Sequence, residues 1–143
     1  DQEASFVIAT THPPDGAFSQ AIGLRMATPH DFTSNHIEVR FGNSGGLGLA
    51  DVYRVQGGYT QLGATIVFGS ALAIGSKVGA RIVGPTISVL LNDVVQDTRA
   101  DTTFLRGGYI CLRTGDGDNG INFDSFYAGA LFEAFQRLQF RAA

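Results

Sequence analysis

The sequence predicts an all-β protein, an antiparallel two-sheet β-sandwich, and three observations carry that prediction. Short alternating or β-branched runs recur about every ten residues along the chain. Thirty of the 143 residues are Val, Ile or Thr, whose branched Cβ packs well on a pleated surface. No helical pattern is interleaved between the runs, which selects a Greek-key or jelly-roll sandwich over a parallel α/β sheet.

The expected strands are Ala4–Thr10, Ala21–Ala27, Asn35–Phe41, Leu47–Val55, Thr60–Phe68, Lys77–Val83, Thr86–Leu91, Val94–Thr98, Gly108–Thr114 and Ile121–Ala128. Between them stand Pro13-Pro14-Asp15-Gly16, Asn43-Ser44-Gly45-Gly46, Gly57-Gly58, Asn92-Asp93, Gly107-Gly108 and Asp118-Asn119-Gly120. These residues fix a turn or tolerate positive φ, as tight hairpins require. Asn119-Gly120 is expected to close a type I′ hairpin between the last two strands, and Asn92-Asp93 one between Thr86–Leu91 and Val94–Thr98. Alternation assigns Phe6, Ile8, Leu24, Met26, Ile37, Val39, Ile82, Val89, Ile110 and Leu112 to the interior. After Gly129 the stretch from Ala130 lacks Gly and Pro, and Leu131, Phe135 and Leu138 recur at helical spacing. It reads as a short C-terminal helix, or as an extra strand because Leu138 and Phe140 alternate. The expected organisation is a sandwich over 1–129 and a docking tail over 130–143.

Composition bounds the function. The chain is 44% hydrophobic and 16% charged, against roughly a quarter charged in an average domain, which excludes intrinsic disorder. One Lys and nine Arg face thirteen acids, a net charge of −3 that argues against a nucleic-acid partner. No apolar run approaches the ~20 residues that span a bilayer. The chain opens Asp1-Gln2-Glu3 without a basic and apolar leader, so it is expected to be processed or part of a longer protein. Cys111, the only cysteine, sits in an apolar run and reads as a small core residue rather than a nucleophile.

From Gly57 onward the strands resemble a known family. Gly57-Gly58-Tyr59-Thr60-Gln61-Leu62-Gly63-Ala64-Thr65, Lys77–Gly84, Thr86–Asn92, Asp101-Thr102-Thr103 through Gly107–Arg113, and Phe123–Gly129 are similar to consecutive strands of the concanavalin A-like/laminin-G-like jelly-roll family. The resemblance implies a module of the type found in bacteriophage virion proteins and secreted bacterial proteins, hence an extracellular or virion location. Its members begin with a strand and a Trp-bearing hairpin ahead of the segment that starts here at Asp1, and Trp is absent here. Those first strands are expected to be removed, replaced by the C-terminal tail, or supplied by another subunit.

Glucanases on this fold carry two Glu flanking an Asp on one strand, whereas Glu3, Glu38 and Glu133 have no such neighbours. His36, Glu38 and Arg40 share a strand face, read as a solvated face with cross-strand ion pairs. An active site would need a second acid opposite, and none is identifiable. His12, His30 and His36 lack zinc-ligand spacing. Asp116 and Asp118 crowd oxygen donors within the turn, and related jelly rolls hold a structural calcium through an Asp in the position of Asp124. Turn chemistry favours acidic decoration of a hairpin at Asp116–Gly120, and no other cofactor is expected.

For sugar binding the candidates are Tyr53, Arg54, Tyr59, Tyr109 and Arg113, aromatics for stacking with guanidinium groups for hydroxyls. The lack of Trp and the scarcity of exposed aromatics weigh against that use. The preferred reading is a non-catalytic structural or interaction module of a virion or other extracellular assembly, with a carbohydrate-binding module as the alternative and a glycan-cleaving enzyme third. Leu131, Phe132, Phe135, Leu138 and Phe140 are expected to dock on a neighbouring subunit, since such a patch is rarely left in water. Truncation after Gly129 is therefore expected to lower the assembled mass measured by light scattering. Two monomers of equal stability would show that the tail neither assembles the protein nor covers its core.

Overall fold

The computed structural model describes residues 1–9, 17–114 and 123–130. Eleven strands follow one another among them: β1 (Gln2–Ile8), β2 (Ala17–Met26), β3 (His36–Ser44), β4 (Leu47–Val55), β5 (Tyr59–Gln61), β6 (Ile66–Val67), β7 (Lys77–Val83), β8 (Thr86–Leu91), β9 (Val94–Ala100), β10 (Tyr109–Thr114) and β11 (Phe123–Ala130). They form two antiparallel sheets. One has the order β11-β1-β7-β8-β9, the other β10-β2-β3-β4-β5, with β6 also on β4. No helix occurs among the described residues.

The core lies between the sheets and is built by alternation. Ala4, Phe6 and Ile8 of β1, Val78, Ala80 and Ile82 of β7, and Ile87 and Val89 of β8 face Ile22, Leu24, Ile37, Val39, Phe41, Ala50 and Val52 of the opposite sheet. Phe6 and Phe41 meet edge to face across the two layers, centroids 6.0 Å apart, the arrangement their ring quadrupoles favour. Ile110 and Leu112 are only partly buried, because β10 is an edge strand. Met26 is fully buried but on the other side of its sheet, where a side chain at Gly23 would meet its Cε at 2.8 Å. Arg25 at φ 53° shifts the strand's alternation just before it.

That same bulge ties the layers together. The Arg25 amide donates to Gln2 Oε1 at 2.7 Å, and Gln2 Nε2 donates to the Gly108 carbonyl at 2.8 Å. The buried Arg25 guanidinium donates to the carbonyls of Gly84, in the β7–β8 turn, at 2.7 Å and Phe104 at 2.5 Å.

The turn chemistry holds in most places. Asn92 and Asp93 both adopt positive φ, 50° and 65°, and join β8 to β9 as a type I′ loop requires. Gly45 and Gly46, at 58° and 77°, do the same for β3 and β4, placing Ser44 opposite Leu47. Two expectations fail. Strand 60–68 is broken into β5 and β6 because Gly63, at φ 83°, passes over the Arg99 side chain, which donates to the Leu62 and Ala64 carbonyls at 2.8 and 3.0 Å. The last two strands do not form a hairpin, since β10 pairs with β2 in one sheet and β11 with β1 in the other. A turn-forming dipeptide favours a reversal locally but does not choose the partner, which burial decides. Asn119-Gly120 and the tail 131–143 lie outside the described residues.

Gly108, at φ 87°, packs so closely that an added Cβ would sit 2.4 Å from the Arg25 carbonyl carbon. Gly108→Ala is expected to cost about 2 kcal/mol or more, since backbone must move at both residues. Gly58→Ala, with nothing within 4 Å and no positive φ, is expected to stay within about 0.5 kcal/mol. Urea denaturation of the two variants measures the contrast.

Candidate functional site

The two-residue Gly45-Gly46 turn fixes the register of β3 on β4, and the register assembles the site. Val39 pairs with Val52 on the core side, so the intervening residues face outward: Arg40 opposite Asp51, Glu38 opposite Tyr53 and His36 opposite Val55. β5 adds Gln61 beside Tyr53 and Tyr59 beside Val55. On the other flank, Gly23 lies across from Glu38 and Ala21 across from Arg40, and β10 places Cys111 beside Gly23 and Arg113 beside Ala21.

The face has two layers. In the lower one, His36 and Glu38 are completely buried, which corrects the expectation of a solvated face. His36 Nδ1 donates to the Ser34 carbonyl at 2.6 Å, and its Nε2 lies 3.1 Å from Glu38 Oε2. The Phe32 ring, from the 27–35 loop, stands edge-on against His36 with centroids 5.4 Å apart. Arg40 Nε donates to Glu38 Oε1. Burial alone pushes the Glu38 carboxyl up, but the hydrogen bonds from His36 and Arg40 and the adjacent positive charge outweigh it, holding the group below its ordinary range. Asp51, also buried, accepts from Gln61 Nε2 at 2.9 Å and from the Tyr53 hydroxyl at 3.2 Å. Burial, then the Asp51 charge, pushes the Tyr53 phenol up, so it remains a donor.

The upper layer is what solvent meets. The Arg40 guanidinium lies 4.5 Å from the ring centroids of both Tyr53 and Tyr59, whose planes are 88° apart. Each such contact contributes about 0.5–1 kcal/mol at an exposed site. Tyr59 is half exposed and Gln61 is exposed. Across the Ala21 and Gly23 strand, the Arg113 guanidinium sits 5.7 Å from the Phe32 ring centroid.

Of the sugar-binding candidates, Tyr53 and Tyr59 come together and Arg113 shares their face. Arg54 points the opposite way and donates to Asp101 Oδ2 and Thr103 Oγ1, both at 3.2 Å. Tyr109 is exposed on β10, three strands from Tyr53. The second acid not identifiable from sequence is Asp51, across from Arg40. Alternation in the sequence places His36, Glu38 and Arg40 on one face but does not mark them as binding residues, and nothing in the local pattern marks Gln61 or Phe32. Cys111 is buried, but beneath the 27–35 loop rather than in the core, where Sγ lies 3.5 Å from the His30 amide. Asp116 and Asp118 lie outside the described residues, Asp124 falls within β11, and no three His, Cys, Asp or Glu side chains converge among the described residues.

No protein-family model and no curated protein sequence matches the chain. Among solved structures it is similar to the carbohydrate binding module CBM66 from Bacillus subtilis. The TM-score is 0.62 at 14% identity, covering 90% of this chain and 73% of the other. At that identity the likeness is one of fold: a jelly-roll-like β-sandwich.

Glu38→Gln is expected to lower stability at neutral pH by about 2–4 kcal/mol, because the buried His36 and Arg40 donors lose their charged acceptor. The native carboxyl titrates below its unfolded value of about 4.3, so its stabilisation is full above that pH and is lost as pH falls through the native value. Acid denaturation of wild type should therefore show a component that the variant lacks.

Proposed function

We propose that the chain is a non-catalytic module that binds carbohydrate on the outer face of the six-stranded sheet. The observation that supports this reading is the surface formed by the exposed Tyr59 and Gln61 with the half-buried Tyr53 and Arg40, oriented from below by Glu38 and Asp51. Aromatic rings accept the apolar C–H face of a sugar, while guanidinium and amide groups reach its hydroxyls. Holding those groups by a buried polar layer reduces the entropy lost when a ligand docks. The fold neighbour's description as a carbohydrate binding module agrees with this use.

The same layering argues against catalysis. Glycoside hydrolysis needs two carboxyl groups flanking the scissile bond, whereas Glu38 and Asp51 lie under the surface with their oxygens engaged by His36, Arg40, Gln61 and Tyr53. The role in a virion or other extracellular assembly rests on the tail from Leu131 to Phe140, outside the described residues. The glycan-binding reading draws on described side chains.

A glycan array is expected to show binding that Tyr59→Ala weakens about tenfold, a loss of ~1.4 kcal/mol. Incubation with laminarin, alginate and peptidoglycan is expected to release no reducing ends. Silence across the array, or binding indifferent to Tyr59, would overturn the proposal.

A further inference from the structure

The charges on this face are unequally balanced between its two ends. Arg40 has its counter-charge beneath it, since its Nε is held by Glu38. Among the described residues Arg113 has no paired carboxylate and lies against the Phe32 ring. Most other described cations outside this face contrast with it: Arg25, Arg54, Lys77, Arg81 and Arg99 each pair with an Asp or Glu at 2.5–3.6 Å, and the exposed Arg106 alone among them has no such partner. Glu38 and Asp51 both lie at the Arg40 end of the face, so the unpaired guanidinium leaves an excess of positive charge at the Arg113 end alone.

The spacing gives this excess a shape. Arg113, Ala21 and Arg40 are cross-strand partners on β10, β2 and β3, so the two arginines lie two inter-strand steps apart, about 10 Å. Between them lies Ala21, itself buried, flanked by Gly23 and the buried Cys111. Phe32 closes the Arg113 end, and Tyr53 and Tyr59 close the Arg40 end.

We infer that the ligand is an acidic glycan, and that Arg113 is the specificity-determining residue that takes the carboxylate of a uronate unit bound at this end of the face. This rests on the carbohydrate-binding reading. A guanidinium meets a carboxylate through two parallel N–H donors, which gives orientation as well as charge. Phe32, 5.7 Å from the guanidinium, offers it a cation–π contact on the side of the 27–35 loop.

The test compares uronate oligosaccharides (galacturonate, guluronate/mannuronate and glucuronate series) with their methyl esters, which keep the skeleton and remove the charge. Isothermal titration is expected to show at least one free acid bound tenfold or more tighter than its ester. Arg113→Gln should abolish that preference, while Arg113→Lys should retain part of it by keeping the charge without the fork. Unchanged melting temperatures of both variants would exclude misfolding as the cause. An acid preference carried by a sulfated neutral polymer but by no uronate would overturn the carboxylate assignment. Equal binding of acid and ester, or a preference that survives in Arg113→Gln, would overturn the inference and leave carbohydrate binding standing if Tyr59→Ala still weakens it. If no acidic or neutral sugar binds the wild type, both fall.

Discussion

The register of β3 against β4 governs both faces of the larger sheet. On one side it aligns Val39 with Val52 and Phe41 with Ala50 in the core; on the other it aligns Arg40 with Asp51 and Glu38 with Tyr53. A slip of one residue would exchange the two sets, sending Glu38 and Arg40 inward and Val39 and Phe41 into water. The burial of two large apolar side chains is worth several kcal/mol at about 1.5–3 each, so core packing and site geometry are enforced by a single alignment. What sets it is the pair of left-handed glycines at 45 and 46.

The fold was legible because each strand announces itself through alternation and each turn through residues that accept positive φ. Asn92-Asp93 and Gly45-Gly46 behave as their chemistry demands. Thr60–Phe68 did not stay whole, because the interruption is caused by Arg99, thirty-six residues beyond Gly63 and invisible to local pattern. Asn119-Gly120 misled for a related reason: a turn signal describes the chain's direction and says nothing about which sheet the next strand joins.

The site was half legible. Alternation placed His36, Glu38 and Arg40 on one face and Asp51, Tyr53 and Val55 on one face, and the two-residue turn contained the information that joins them. Pairing Ser44 with Leu47 and counting outward brings Arg40 to Asp51. The burial of Glu38 was not readable in that way. It depends on Phe32, delivered by a loop with no strand pattern, and on the two tyrosines that lean over Arg40 from β4 and β5. An acidic residue alternating with hydrophobic ones reads as solvent-facing until the cover above it is known.

The contiguity of the site's inner half has a kinetic consequence. His36 through Gln61 form one antiparallel meander, β3-β4-β5, in which every hydrogen bond among Glu38, Arg40, Asp51, Tyr53 and Gln61 closes a short loop. The chain entropy lost in bringing those groups together is small, because loop-closure cost grows with the logarithm of the separation. Arg113 is different. It must cross from a strand more than fifty residues away from β5, after β2 has already been seated between. The meander is therefore the low-contact-order part of a high-contact-order fold, the kind of segment whose contacts form ahead of slower long-range pairings. On that view the Tyr–Arg surface is assembled early in folding, and the guanidinium that faces it across Ala21 arrives with the last strands of the sandwich.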